Sequence, residues 1–249
     1  MKIIILAAGM GSRLKPLTND KPKCMVKLFN ETLIERQIKI FHNCNIDDIT
    51  IVTGYRGELI NIPDVNYVKN KNYEKTNMNE SLFCALEPSN SPILVTYSDI
   101  VFEQKIIEQM LEVTEGIRLA VSLNWKKNYQ NRRLHPLSEA ENVLMENGRV
   151  LQIRKNISES SQNQQIGEFL GIMMLSPDNV KILLEKYSYL KQNHKGTFHN
   201  APSLSNAYIT DMLQELIDSS ISVDPVFIQG MWHEIDTPED LKNAEKQIG

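Results

Sequence analysis

The sequence predicts an α/β fold: a doubly wound, mostly parallel sheet with an inserted hairpin or lid region. Three observations predict it. Short apolar, β-branched runs alternate with helical patterns up to residue 123, the order that builds βαβ units. Those runs lack polar alternation, as expected of strands covered on both faces. The pattern then breaks at 125–165, which turns polar around an Asn147-Gly148 turn.

Element by element, residues 2–6 form a buried first strand and 31–43 a helix with Leu33, Ile34, Ile38 and Phe41 on one face. Residues 49–53 and 66–68 read as strands, 77–86 as a helix, and 93–96 as a buried strand ending at Tyr97-Ser98-Asp99. A helix at 103–113 and a strand at 118–123 follow. Within 125–165, residues 143–145 and 150–153 form a hairpin, and the polar stretch 158–165 reads as soft. A strand (169–175), a helix (177–190) and a polar loop expected to be mobile (191–205) come next. A helix at 207–217, strands at 222–227 and 231–235 and a helix at 238–247 complete the reading. The whole is Rossmann-like and is read as one domain over 1–249, with 125–165 as an acceptor-binding insertion. In such sheets ligands sit beyond the carboxyl ends of the strands, where the first loop and the Asp99 loop can meet.

The chain has 249 residues, 41% apolar and 23% charged, enough for a sizeable core. With 27 basic and 31 acidic side chains the formal net charge is −4, which argues against a general nucleic-acid or anionic-membrane binder. Cys24, Cys44 and Cys84 are odd in number and lack CxxC spacing, so free thiols in a reducing cytoplasm are expected. No apolar run approaches the roughly 18 residues of a membrane span. The N-terminus MKIIILAAG imitates a secretory signal, but its apolar run is about six residues, below the usual ~7–15.

The first loop carries the chemistry. Gly9-Met10-Gly11-Ser12-Arg13-Leu14 places leucine where a dinucleotide fingerprint needs its third glycine, and the P-loop string is absent. The chain instead matches G-x-G-[ST]-R-L-x-P-L-T followed by K-P-K, through Gly9, Gly11, Ser12, Arg13, Leu14, Pro16, Leu17, Thr18 and Lys21-Pro22-Lys23. Glycines let backbone N–H groups approach phosphate oxygens. Arg13 offers a planar fork and Lys23 a point charge.

On these residues the chain resembles the nucleoside-triphosphate transferases, which couple NTPs to phosphorylated small molecules, and the implied fold is that of the nucleotide-diphospho-sugar transferases. The pattern Y-x-x-T-N-M-x-x-S-L-x-C-A, from Tyr73 to Ala85, and Tyr97-Ser98-Asp99-Ile100-Val101 are similar to the cytidylyltransferase branch. That branch acts on phosphocholine, phosphonates or phosphoglutamine, in part for capsule or lipopolysaccharide decoration. The resemblance implies nucleotide binding by Ala8, Gly9, Gly11, Ser12, Thr76, Asn77 and Ser81. It implies catalytic roles for Arg13 and Lys23, and for Lys155 as holder of the acceptor phosphate. Asp99 and Asp236, the latter in Glu234-Ile235-Asp236-Thr237-Pro238-Glu239-Asp240-Leu241, are implied ligands of Mg²⁺. Glu234, on the strand face opposite Ile235, is a further candidate.

Trp125, Arg132 and Arg133 fall where relatives carry acceptor contacts, although here Arg-Arg-Leu replaces Arg-Phe. Tyr73, Tyr97, Trp125 and Trp232 could face a choline-like cation. His42, His135, His194, His199 and His233 show no triad or metal spacing and read as surface or structural. The implied partners are CTP and a phosphorylated acceptor, with no nucleic acid, no membrane and room for a homodimer. The alternatives are a sugar-1-phosphate nucleotidyltransferase using UTP or dTTP, and a non-catalytic nucleotide-binding relative.

Overall fold

A computed structural model describes residues 1–130, 132–157 and 161–248. The chain runs β1 (Lys2–Ala7), β2 (Lys27–Leu28), β3 (Glu31–Thr32), α1 (Leu33–Asn43), β4 (Ile49–Thr53), β5 (Asn66–Lys69) and α2 (Met78–Ala85). β6 (Ile93–Tyr97), β7 (Ile100–Phe102), α3 (Gln104–Leu111) and β8 (Ile117–Ser122) follow. The remainder is β9 (Glu141–Glu146), β10 (Arg149–Lys155), β11 (Gln164–Leu175), α4 (Pro177–Asn193), α5 (Ile209–Asp218), β12 (Asp224–Phe227), β13 (Trp232–Glu234) and α6 (Pro238–Ile248).

The main sheet has the order β10-β9-β11-β6-β1-β4-β5, with β8 and β12 joined through β11. Its centre, β6-β1-β4-β5, is parallel throughout. β4 and β6 are buried at every position, which is why their sequences read as continuous apolar runs. β11 runs antiparallel to β6, β8 and β9, so the 125–165 hairpin continues the main sheet. The hairpin turns at Asn147 and Gly148, both at positive φ, as its Asn-Gly signal predicts. β11 starts at Gln164, earlier than the expected 169, because Gln164 and Gln165 pair with Glu146 and Met145 of β9. Ser158–Ser160, inside the stretch expected to be soft, lie outside the described residues.

In the 191–205 segment, expected as a polar mobile loop, residues 191–193 continue α4 and most side chains are exposed. Phe198 and Ala201 form a β-bridge and are buried, so apolar burial tethers a stretch whose composition reads as polar. It then meets the start of α2: Asn77 donates its backbone N–H to Ser205 (3.0 Å) and its amide N–H to Asn206 (3.2 Å).

A second, small core sets the site. Leu14, Val26, Leu28, Leu33, Val101, Ile235, Leu241 and Ala244 pack together, joining the first loop to the chain's last helix. Leu14 is fully buried there. Leucine replaces the fingerprint glycine because this loop is anchored by apolar packing.

Candidate active site

Asp99 lies in the turn between β6 and β7, and the antiparallel pair β7–β13 brings the C-terminal segment beside it. Glu234 registers with Ile100, and Ile235 donates its N–H to the Asp99 carbonyl at 2.9 Å. One residue on, Asp236 therefore stands next to Asp99. Thr237 and Asp240 then start α6 by reciprocal capping: Asp240 accepts from the Thr237 N–H (2.8 Å) and donates its own to the Thr237 hydroxyl (3.2 Å).

The first loop delivers two cations to these carboxylates. Gly11 is left-handed (φ 59°), and a Cβ there would lie 2.9 Å from the Lys23 Cβ, so only glycine allows Lys23 to pass this close. The buried Lys23 ammonium donates to both Asp99 and Asp236. Burial alone would lower its pKa, but Asp99 and Asp236 outweigh it and hold the lysine charged. The Arg13 guanidinium also meets Asp236 and reaches Glu139 at 3.2 Å. Asp236 is held below the usual carboxylate range: burial opposes ionisation, and Lys23 and Arg13 more than offset it.

Two cavities meet at this cluster. Ala8, Gly9, Lys23, Tyr73, Thr76, Asn77, Ser81 and Ser98 line one. Arg13, His135, Glu139, Glu141, Lys155, Glu168, Phe169, Tyr208, Trp232, Glu234 and Asp236 line the other. Met78, Tyr97 and Asp99 belong to both walls. The structure thus gathers Arg13, Lys23, Asp99 and Asp236 at one junction and Ala8, Gly9, Thr76, Asn77 and Ser81 around one cavity. Gly11 and Ser12 line neither; Gly11 acts on the site through Lys23. Thr76 and Ser81 both accept from the Asn70 amide (3.0 Å each), and Asn77 caps α2 by accepting from the Met78 N–H (2.9 Å). Lys155 lines the second cavity and donates to Glu139 at 2.8 Å.

The expected acceptor contacts at Trp125, Arg132 and Arg133 line neither cavity. Trp125 packs edge-on against Tyr129, Arg132 is buried on Asp240 (2.7 Å) and over the Tyr129 ring, and Arg133 is exposed. Tyr97 and Trp232 do face the second cavity, and Tyr73 the first.

Four residues at the second cavity escape the sequence reading. His135, set aside with the other histidines, is buried 3.4 Å from both Glu234 and Asp236, and those three offer donor atoms within 4.8 Å of one another. Glu139 bridges Arg13 and Lys155. Glu141 accepts from the Tyr97 hydroxyl (3.2 Å), and Glu168 accepts from that of Tyr129. Glu168, a lone acidic residue at the head of the apolar run 169–175, was a legible signal; His135 gave none. Burial, reinforced by Asp236, pushes Glu234 up to about 7, and burial with Glu234 pushes Glu141 up to about 8. Burial also raises Glu168.

Comparison with known proteins gives the family and the fold. The MobA-like NTP transferase domain matches the chain over residues 3–166. The chain is 30% identical over 253 aligned residues to the CTP:phosphoglutamine cytidylyltransferase of Campylobacter jejuni, covering 97% of this chain and 98% of that protein. The fold matches the CTP:phosphocholine cytidylyltransferase of Streptococcus pneumoniae with a TM-score of 0.69 at 22% identity, over 100% of this chain and 99% of that one. It matches a UDP-glucose pyrophosphorylase with a TM-score of 0.72 at 17% identity, over 99% and 97%. On a match that includes the first-loop glycines and Asp99, this chain belongs to the family of MobA-like NTP transferase domains.

Proposed function

We propose that this nucleotidyltransferase is a Mg²⁺-dependent cytidylyltransferase: CTP and a phosphorylated or phosphonate small molecule, phosphocholine- or phosphoglutamine-like, give a CDP-activated product and pyrophosphate. The observation that carries the reading is the pair of cavities sharing Asp99 as a wall, with Lys23, Arg13 and Asp236 at the junction. Two reactants held in adjacent cavities can react across such a wall, and charge is concentrated where phosphates would meet. Full-length similarity to a cytidylyltransferase favours CTP over UTP or dTTP. Residues 1–249 are taken as one unit, with 125–165 supplying part of the acceptor side.

In this reading Ala8, Gly9, Thr76, Asn77 and Ser81 surround the nucleotide, while Gly11 and Ser12 shape the loop that carries Arg13. An acceptor phosphate needs no base, because its second pKa is about 6 and its oxygen is already anionic near neutral pH. That oxygen attacks the α-phosphorus in line; the new O–P bond forms as the bond to pyrophosphate breaks. Lys23 and Arg13 neutralise charge at the junction, and Lys155 holds the acceptor phosphate.

The donors present suit a divalent ion. One oxygen of Asp99 is buried with no hydrogen-bond partner among the described residues, and hard carboxylate oxygens match Mg²⁺. Asp99 and Asp236 would hold it, with Glu234 and His135 adjacent; when bound it would polarise the phosphates and balance developing charge.

Pyrophosphate release tests the proposal. Turnover with CTP and a phosphorylated amine or amino acid is expected. Activity with UTP and glucose-1-phosphate but none with CTP would overturn it.

A further inference from the structure

The second cavity has two electrically distinct ends. Arg13, Lys155 and Glu139 are partly exposed, whereas Glu168 is only 3% exposed although it lines the same space. Neither Glu168 nor Glu141 makes an ion pair among the described residues. Each accepts a single tyrosine hydroxyl, and the remaining oxygen of Glu168 is buried without a hydrogen-bond partner. Arg132 and Lys155 do not supply that partner, being engaged by Asp240 and Glu139.

An unpaired buried carboxyl oxygen costs free energy that a charged N–H donor would recover. We infer that this end of the cavity is a cation subsite, and that the acceptor carries a primary ammonium received by Glu168 and Glu141 while its phosphate lies toward Arg13 and Lys155. The inference rests on the nucleotidyl-transfer reading and narrows its substrate class. A primary ammonium brings the N–H groups that the Glu168 oxygen lacks. A quaternary ammonium has none to give, and a sugar hydroxyl brings no charge. Tyr97 and Phe169, edge-on to each other beside the carboxylates, supply the apolar wall for the carbons between the two charged ends. Such a ligand is a zwitterion whose ammonium favours the ionised form of the Glu168 and Glu141 carboxyls while Arg13 and Lys155 face its phosphate.

Three probes of one length separate the possibilities: 2-aminoethyl phosphate, 2-hydroxyethyl phosphate and phosphocholine differ only at the terminus far from phosphate. Isothermal titration of the full chain is expected to give affinity for the aminoethyl compound on the order of tenfold or more above the other two. Glu168→Gln is expected to erase that preference, with CTP binding as the check that the variant is folded. If that variant does not fold, the wild-type order of the three probes decides alone. Equal affinity for the hydroxyethyl compound, tightest binding of phosphocholine, or no binding of any probe would overturn the inference. Pyrophosphate release from CTP, run in parallel, separates the two readings. Turnover that ignores the terminus defeats the cation subsite alone, and absence of CTP binding defeats the nucleotidyl-transfer reading itself.

Discussion

Lys23 is hydrogen-bonded to Asp236 across 213 residues of sequence, and both side chains are buried. The contact exists because the β7–β13 ladder carries Asp236 to Asp99, while Gly11 leaves room for Lys23 to reach them. It ties the first loop to the last strand at the point where the two cavities join.

Removing the lysine should therefore expose a charge conflict. Lys23→Met leaves Asp99 without its cation and Asp236 with Arg13 alone, a loss of about 3–5 kcal/mol for a broken buried pair. A lower melting temperature is expected, and added Mg²⁺ should raise it more in the variant than in the wild type. A variant indifferent to Mg²⁺ would speak against a metal held by these carboxylates.

Asp99→Asn and Asp236→Asn keep the shape of each side chain and remove its charge. Each should lower kcat for pyrophosphate release by on the order of 10²- to 10³-fold, the scale of a lost electrostatic contact at a reacting centre. Undiminished activity in either would remove that residue from the proposed metal site.

Glu139 occupies the two cations assigned to the acceptor phosphate in the proposed reading, at 3.2 Å from Arg13 and 2.8 Å from Lys155. An incoming phosphate must displace it. Glu139→Gln should lower KM for the acceptor several-fold with little change in kcat, read from steady-state kinetics at saturating CTP. A raised KM would mean that Glu139 orients the cations.

Much of this was legible in the sequence, and the limits have physical causes. The parallel centre was readable because β4 and β6 are β-branched or apolar at every position, and the hairpin because Asn147-Gly148 suits only a few turns. Arg13 and Lys23 stood out through the first-loop motif, and Asp99 and Asp236 through the resemblance to the family; the fold brings the two cations into contact with the two carboxylates. The acceptor side was not readable in the same way. Glu139, Glu141 and His135 gain their meaning only from sheet pairing and from contacts distant in sequence: Glu139 with Arg13, Glu141 with Tyr97 and His135 with Asp236. Arg132 looked available because sequence does not reveal that Asp240 already neutralises it. The 191–205 segment hid its anchors, since three buried residues, Phe198, Ala201 and Leu204, are set in a polar majority.

The acidic cavity makes a pH signature. An unfolded glutamate titrates near about 4.3, whereas Glu141 in the folded chain is pushed up to about 8, first by burial and then by Glu234. Between those values the folded state binds the extra proton, so stability is highest below the window and falls as pH rises through it. Glu234, at about 7, and Glu168 act with the same sign. Thermal melts without nucleotide should therefore decline from pH 6 to 8.5, and Glu141→Gln should flatten part of that slope. A wild-type midpoint that rises over the same range would contradict the assignment.

The central claim is the reaction itself, and pyrophosphate release measured with each of the four common ribonucleoside triphosphates and dTTP, against phosphorylated amines, amino acids, phosphonates and sugar-1-phosphates, tests it most directly. The account predicts Mg²⁺-dependent release with CTP and a phosphorylated ammonium compound, and little with any other nucleotide; turnover confined to UTP or dTTP with a sugar-1-phosphate would contradict it.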